Sequence, residues 1–178
     1  QVLEKGKVRE GSRVLIHAGA GGVGHLAIQI AKAKGAYVIT TASKEKHAFV
    51  KGLGADEIID YRSEDFTKIL KKPVDLVVDL IGGEVGKASF SVMDEKSHLI
   101  TVPTAKAQEI LDLAKSLNKK AESFIQHPDR KTLDALSELV LRGKIVIEIL
   151  ETFPLKKAPL AHELLEGSKG SGKLVFSL

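Results

Sequence analysis

The run Val14-Leu15-Ile16-His17-Ala18-Gly19-Ala20-Gly21-Gly22-Val23-Gly24 constrains this chain more than any other stretch. A short apolar segment ends in a cluster of glycines. An amphipathic segment, His25-Leu26-Ala27-Ile28-Gln29-Ile30-Ala31-Lys32-Ala33, starts where the glycines stop. A buried strand, a tight turn and a helix are predicted in that order. The spacing Gly19-x-Gly21-x-x-Gly24 suits a turn that brings the backbone close to a pyrophosphate, with the helix N–H groups and dipole facing the anion. A glycine triplet alone is weak. Here a strand precedes it, a helix follows it, and the unit has βαβ length. The bland alternative is a turn whose glycines only pack helix against strand. The expected ligand is a dinucleotide.

The rest of the chain repeats the alternation. The opening Gln1 to Val8 reads as a helix end followed by a glycine stop, and the chain opens without Met, so it is read as an excised domain. Strands are expected at Val14 to Ala18, Ala36 to Ala42, Glu57 to Asp60, Val74 to Asp79, His98 to Val102 and Glu122 to Ile125. Helices are expected at His25 to Lys34, Lys44 to Leu53 with Ser43 as N-cap, Asp65 to Leu70, and Ala105 to Asn118. Strands separated by helices imply parallel pairing with right-handed crossovers. The predicted fold is an α/β Rossmann domain, a doubly wound three-layer αβα sandwich with strand order 3-2-1-4-5-6. The later part changes character. A helix is expected at Arg130 to Leu141, a strand at Lys144 to Leu150, a short helix at Leu160 to Leu165, a turn at Gly167 to Gly172, and a last strand from Lys173 to Leu178.

Bulk properties exclude several classes. The chain has 178 residues, enough for one domain with a sizeable core. No apolar run is long enough to span a bilayer, so no membrane partner is expected. There is no cysteine, which removes disulfides and thiolate metal sites within the chain and suits the cytoplasm. The net charge of +4 comes from lysines dispersed among acids, and no dense basic run with aromatics points to nucleic acid.

The end of the second strand bears on which dinucleotide is bound. Folds that take NAD usually carry an Asp or Glu there for the ribose 2′-hydroxyl. This chain reads Thr41-Ala42-Ser43-Lys44-Glu45-Lys46, and the acid expected near Ser43 is missing. A small hydroxyl followed by lysines suits a 2′-phosphate. The plain alternative leaves Lys44 and Lys46 as exposed helix residues, and places Glu45, the nearest acid, inside the helix.

The same residues resemble a known family. Ala18 to Lys32 looks like the A-x-x-G-x-x-G corner of medium-chain dehydrogenases/reductases, nearest their zinc-independent quinone oxidoreductase branch. The likeness continues through Gly52-Leu53-Gly54-Ala55-Asp56 to Tyr61-Arg62, through Val74 to Asp79 with Gly82-Gly83, and ends in Thr152-Phe153-Pro154-Leu155 and Gly172-Lys173-Leu174-Val175. The resemblance implies NADP(H) as cofactor. It implies Gly19, Gly21, Gly22, Val23 and Gly24 around the pyrophosphate, and Ser43, Lys46 and Tyr61 around the 2′-phosphate and adenine ribose. Leu80, Ile81, Val102, Pro103 and Thr104 would line the nicotinamide side, with Phe124 and Ile125 approaching through the backbone. It also implies a division into residues 1–126 as the NADP-binding domain and 127–178 as a segment returning to a GroES-like catalytic domain outside the chain. The acceptor would be a quinone, enone or aldehyde, and an edge strand would form a homodimer. Lys96-Ser97-His98 departs from the family's glycine-rich turn, which leaves that loop's shape open.

Other candidates are weaker. His17 reads as a buried, hydrogen-bonded histidine. His25 either touches the cofactor phosphates or faces solvent. His47, His98, His127 and His162 show no metal spacing, and no metal ligand is assigned. Asp75 and Asp79 share a strand face, yet fit a strand start and a strand end better than a carboxylate pair. Tyr-x-x-x-Lys, required by short-chain reductases, is absent, because Tyr37 leads to Thr41 and Tyr61 to Asp65. A methyltransferase would also want the acid that is missing near Ser43. Three functions stay open: a quinone or enone reductase using NADPH, a relative of zinc-dependent alcohol dehydrogenases, and a non-catalytic NADPH-binding sensor or scaffold. No catalytic residue is assigned.

Overall fold

In the computed structural model, which describes residues 1–167 and 170–178, six parallel strands form one sheet in the order β3-β2-β1-β4-β5-β6. They are β1 (Arg13–Ile16), β2 (Tyr37–Thr41), β3 (Glu57–Ile59), β4 (Val74–Asp79), β5 (Met93–Thr101) and β6 (Lys120–Ser123). α1 (Val2–Lys5) precedes them, and the helices between them are α2 (Gly24–Ala33), α3 (His47–Gly52), α4 (Phe66–Ile69), α5 (Gly83–Ala88) and α6 (Ala107–Ser116). This is the doubly wound order expected from the sequence.

Alternation along the strands builds two cores. Val14, Ile16, Val38, Leu76, Val78 and Ile100 face one side, where Ile28 and Ala31 of α2 and Val50 of α3 cover them. Leu15, Ile39, Ile59, Val77 and Leu99 face the other, under Phe90, Val92, Ile110 and Ala114. Strands buried on both faces read as continuous apolar runs, which is why they were legible.

Several boundaries move, each for a local reason. α5 and the 3-10 turn Ser89–Val92 fill a stretch left unassigned from sequence; α5 starts at Gly83 after Gly82, both at positive φ. β5 begins five residues early, at Met93, and shifts register between Val74 and Leu76 of β4. The turn there needs no glycine, because Asp94 Oδ1 accepts from the N–H groups of Lys96 and Ser97, and the Ser97 hydroxyl donates to Val74 O at 2.6 Å. β6 ends at Ser123, earlier than expected. Its pairing with β5 closes at Thr101, and after the Phe124 N–H bonds Thr101 O the chain leaves the sheet. Ser43 precedes a 3-10 turn, Lys44–Lys46, and its side chain makes no cap bond to it.

The C-terminal part contains α7 (Arg130–Leu141), β7 (Ile149–Pro154), α8 (Ala158–Glu166) and β8 (Lys173–Ser177). β7 and β8 pair in parallel as a second, two-stranded sheet. The strand expected over Lys144 to Leu150 therefore starts only at Ile149. Before that point the backbone of Val146 bonds to a side chain: its N–H donates to Gln29 Oε1 at 2.7 Å and its carbonyl accepts from Gln29 Nε2 at 2.9 Å. Within the turn expected at Gly167 to Gly172, Ser168 and Lys169 lie outside the described residues.

Candidate functional site

All six strands run the same way, so the segments that follow them share one edge of the sheet. The order reverses between β1 and β4, where the two neighbouring crossovers leave in opposite directions. Ligands of doubly wound sheets bind outside the strand ends at such a switch point. The glycine turn lies there, between the end of β1 and the start of α2.

Each glycine of the turn has its own reason. A Cβ on Gly19 would stand 2.0 Å from Thr40 Oγ1, and one on Gly24 would stand 2.2 Å from Ala18 O. These two let β1, β2 and α2 pack closely. A Cβ on Gly21 would meet only Ala18 O, at 3.2 Å, and Gly21 is exposed. Gly21 is therefore the position with room for a ligand's approach. Ala18 leads into the turn at φ 54, a left-handed conformation that costs an alanine energy. Its N–H donates to Thr41 Oγ1, and Gly19 N–H donates to Thr41 O at 3.0 Å. The turn is thus fastened to the end of β2. Among the described residues, the N–H groups of Gly22 and Val23 have no protein acceptor, the usual state of a helix N-terminus. An exposed backbone cradle with donors to spare fits a pyrophosphate.

On one side of this cradle lie the segments after β2 and β3. Ser43 is buried, Lys46 is half-buried and Tyr61 is 59% exposed. The pairing of Thr41 with Ile59 brings their segments together. Glu45 and Arg62 join across this junction, with Arg62 Nη1 2.9 Å from Glu45 Oε1. The Arg62 guanidinium also lies 5.8 Å from the centre of the Tyr61 ring. Glu45 therefore sits in the 3-10 turn and reaches toward the next strand's loop.

On the other side lie the segments after β4, β5 and β6. Leu80 and Phe124 are half-buried against the same core as Ala20, while Ile81 is exposed. Asp79 is fully buried and anchors the loop after β4. Its Oδ1 accepts from the N–H groups of Ile81 and Gly82, and its Oδ2 from the Thr101 hydroxyl at 2.8 Å. A Cβ on Gly82 would lie 3.5 Å from Pro103 Cβ, which places the loops after β4 and β5 side by side. Val102 and Pro103 are half-buried, Thr104 is exposed, and Ile125 is 63% exposed. Asp75 lies at the far end of β4 and accepts from Arg13 N–H, so the two aspartates are not a pair.

Sequence reasoning missed the wall that the C-terminal part builds against the cradle. His25 neither faces solvent nor stands free for a ligand: it is fully buried. Its Nδ1 donates to Gly21 O at 2.9 Å, and its Nε2 faces Glu148 N–H at 3.4 Å. Gly172 N–H donates to Ala20 O at 3.0 Å, and a Cβ on Gly22 would meet the Lys173 side chain at 3.1 Å. Lys173 thus stands beside the glycine turn although 151 positions separate it from Gly22 in the chain. The only signal in sequence was its place in the family-like Gly172-Lys173-Leu174-Val175 motif.

His17, next to the turn, is fully buried. Its Nε2 lies 2.9 Å from Ser89 Oγ and its Nδ1 lies 3.2 Å from Thr41 Oγ1. The Ser89 hydroxyl already donates to Val85 O, so it accepts from Nε2–H, and Nδ1 takes the Thr41 proton. Burial lowers the His17 pKa to about 4, against the weaker upward pull of Asp79. It is a neutral structural histidine.

The fold and this edge define a domain of the dinucleotide-binding class. A model of the zinc-binding dehydrogenase family matches residues 53–176, and the chain belongs to that family. Over 189 residues it is 32% identical to the "NAD(P)H oxidoreductase RTN4IP1, mitochondrial" of Danio rerio, covering 93% of this chain and 49% of the relative. Over 190 residues it is 30% identical to quinone oxidoreductase 1 of Escherichia coli (strain K12), covering 95% of this chain and 58% of the relative. The solved quinone oxidoreductase from Coxiella burnetii superposes with a TM-score of 0.97 at 47% identity, covering 100% of this chain and 56% of that one. The chain thus spans about half the length of these relatives. Zinc, which the family name implies, does not fit the residues present. The chain has no cysteine, and the described residues bring no three His, Asp or Glu side chains together as ligands.

Proposed function

We propose that this chain is the NADP(H)-binding part of an oxidoreductase that passes hydride from NADPH to a quinone or enone-type acceptor. The observation that carries the reading is the exposed cradle at Gly21 to Val23, with unengaged N–H groups at the switch point of the sheet. Gly21, Gly22 and Val23 would hold the pyrophosphate, with Gly19 and Gly24 permitting the close packing behind it. Ser43, Lys46 and Tyr61 would take the adenosine end. Leu80, Ile81, Val102, Pro103 and Phe124 would line the nicotinamide end. When bound, the cofactor would supply the hydride, and the chain would position it. The names of the relatives support a nicotinamide cofactor, and a hydroxyl at Ser43, where an acid is expected for NAD, favours the phosphorylated form. Residues 1–126 would form the cofactor domain. Residues 127–178 would lead back to a catalytic domain that supplies most of the acceptor pocket, and a dimer would form at the β6 edge.

The test is a fluorescence titration of this chain with NADPH and with NADH at low salt. Saturable binding with NADPH tighter is the expected result. Equal binding would remove the NADP preference, and binding of neither would overturn the dinucleotide reading.

A further inference from the structure

The polar cluster where β2 and β3 end contains a charge pair that the cofactor reading does not use. Glu45 lies between Lys44 and Lys46 in the 3-10 turn directly after β2. Arg62 lies in the turn after β3, and the two side chains meet at 2.9 Å. Both backbones are fixed. Lys46 N–H donates to Ser43 O, Arg62 N–H donates to Asp60 Oδ1, and the Ser63 hydroxyl donates to Asp60 Oδ2. Both side chains are open to solvent, at 60% exposure for Arg62 and 53% for Glu45. One guanidinium nitrogen engages one carboxylate oxygen. A pair of this kind is worth little and is easily exchanged.

We propose, on the reading that this edge binds the adenosine end of a dinucleotide, that the Glu45–Arg62 pair sets the choice between NADPH and NADH. A 2′-phosphate takes Arg62 from Glu45. Two charges decide the direction. The planar guanidinium matches a phosphate through two parallel N–H bonds, stronger than its single contact with Glu45. A phosphate dianion also repels the Glu45 carboxylate, which then turns toward Lys44, Lys46 or solvent. Without the phosphate, Glu45 keeps Arg62, and a ribose hydroxyl meets a guanidinium whose charge is already paired. Glu45 is thus an internal competitor: it occupies Arg62 until the 2′-phosphate arrives. Its carboxyl is held below the ordinary range by its own backbone N–H first, then by the Ser43 hydroxyl and by Arg62, so it stays ionised near neutral pH.

The experiment is calorimetric titration of the chain and of the Arg62→Gln and Glu45→Gln variants with NADPH, NADH, 2′,5′-ADP and 5′-ADP. Both positions are exposed, so both variants should fold, and equal melting temperatures would verify it. Arg62→Gln is expected to weaken NADPH and 2′,5′-ADP by about tenfold, the scale of a charged hydrogen bond, and to leave NADH and 5′-ADP within about twofold. Glu45→Gln is expected to tighten NADPH and 2′,5′-ADP by a few-fold and leave NADH unchanged. An unchanged NADPH-to-NADH ratio in Arg62→Gln overturns the proposal while the cofactor reading stands. Selective loss of NADH in Glu45→Gln also overturns it, because Glu45 would then be the acceptor for a ribose hydroxyl. Failure of the unsubstituted chain to bind any of the four overturns the cofactor reading and the proposal with it.

Discussion

Lowering the pH should destabilise this domain through His17, and the size of the effect follows from its surroundings. The ring is fully buried, stands edge-on to Phe66 with centroids 4.9 Å apart, and has both nitrogens engaged in its neutral form. A second proton on Nδ1 would confront the Thr41 hydroxyl that donates to it, with no water to take up the charge. The pKa falls from the ordinary 6.5 to about 4 in the folded chain. In the unfolded chain the group takes its proton at the ordinary value. Between these two values the unfolded state binds the extra proton and the folded state does not. Stability is therefore complete above pH 6.5 and drains away as the pH falls toward 4. At 1.36 kcal/mol per pH unit, the interval is worth about 3 kcal/mol. That is a large share of the 5–15 kcal/mol typical of a domain, roughly speaking. The assay is urea denaturation at pH 7.5 and pH 4.0 for the unsubstituted chain and for His17→Gln. The variant starts lower at pH 7.5 because it loses the ring's packing. Its further fall on acidification should be smaller by about 2–3 kcal/mol. His98, also buried and also lowered, chiefly by burial and then by Lys120, contributes equally to both proteins and cancels in the comparison. Equal acid sensitivity in the two proteins would refute the argument.

Two further outcomes test the way the turn is built. Gln29→Ala removes both partners of the Val146 backbone and should cost about 2 kcal/mol in urea denaturation, with faster proteolytic cleavage near residues 145–154; unchanged cleavage would show that Gln29 does not hold the C-terminal part against α2. Ala18→Gly should raise stability by about 1 kcal/mol, since Ala18 sits at φ 54 where glycine is at ease, and a loss of stability would show that the alanine methyl is needed for packing.

What was readable in the sequence depends on whether the responsible contacts are local or periodic. Val14 to Ile16 and Val74 to Asp79 stood out because a strand covered on both faces has nowhere to place a polar residue except at its ends. The glycine turn stood out because its packing demands fall at fixed spacing, and the structure gives separate steric reasons for Gly19 and Gly24. The C-terminal wall was not readable in this way. Gln29 pairs with Val146 as a neighbouring strand would, 117 positions away, and a side chain imitating a strand leaves no period for Lys144 to Leu150 to reveal. His25 was open between a phosphate contact and solvent because its partners, Gly21 O and the region of Glu148, meet only once that wall is in place. Glu45 and Arg62 show the same limit on a smaller scale. Each is an ordinary exposed charge in its own segment, and the pairing of Thr41 with Ile59 makes them neighbours across 17 positions. The glycine turn is thus a local device encoded in a handful of consecutive residues. Glu45 and Arg62, which we propose choose between the two dinucleotides, are brought together by the sheet's topology, so the pair becomes visible only after the strands have been put in order.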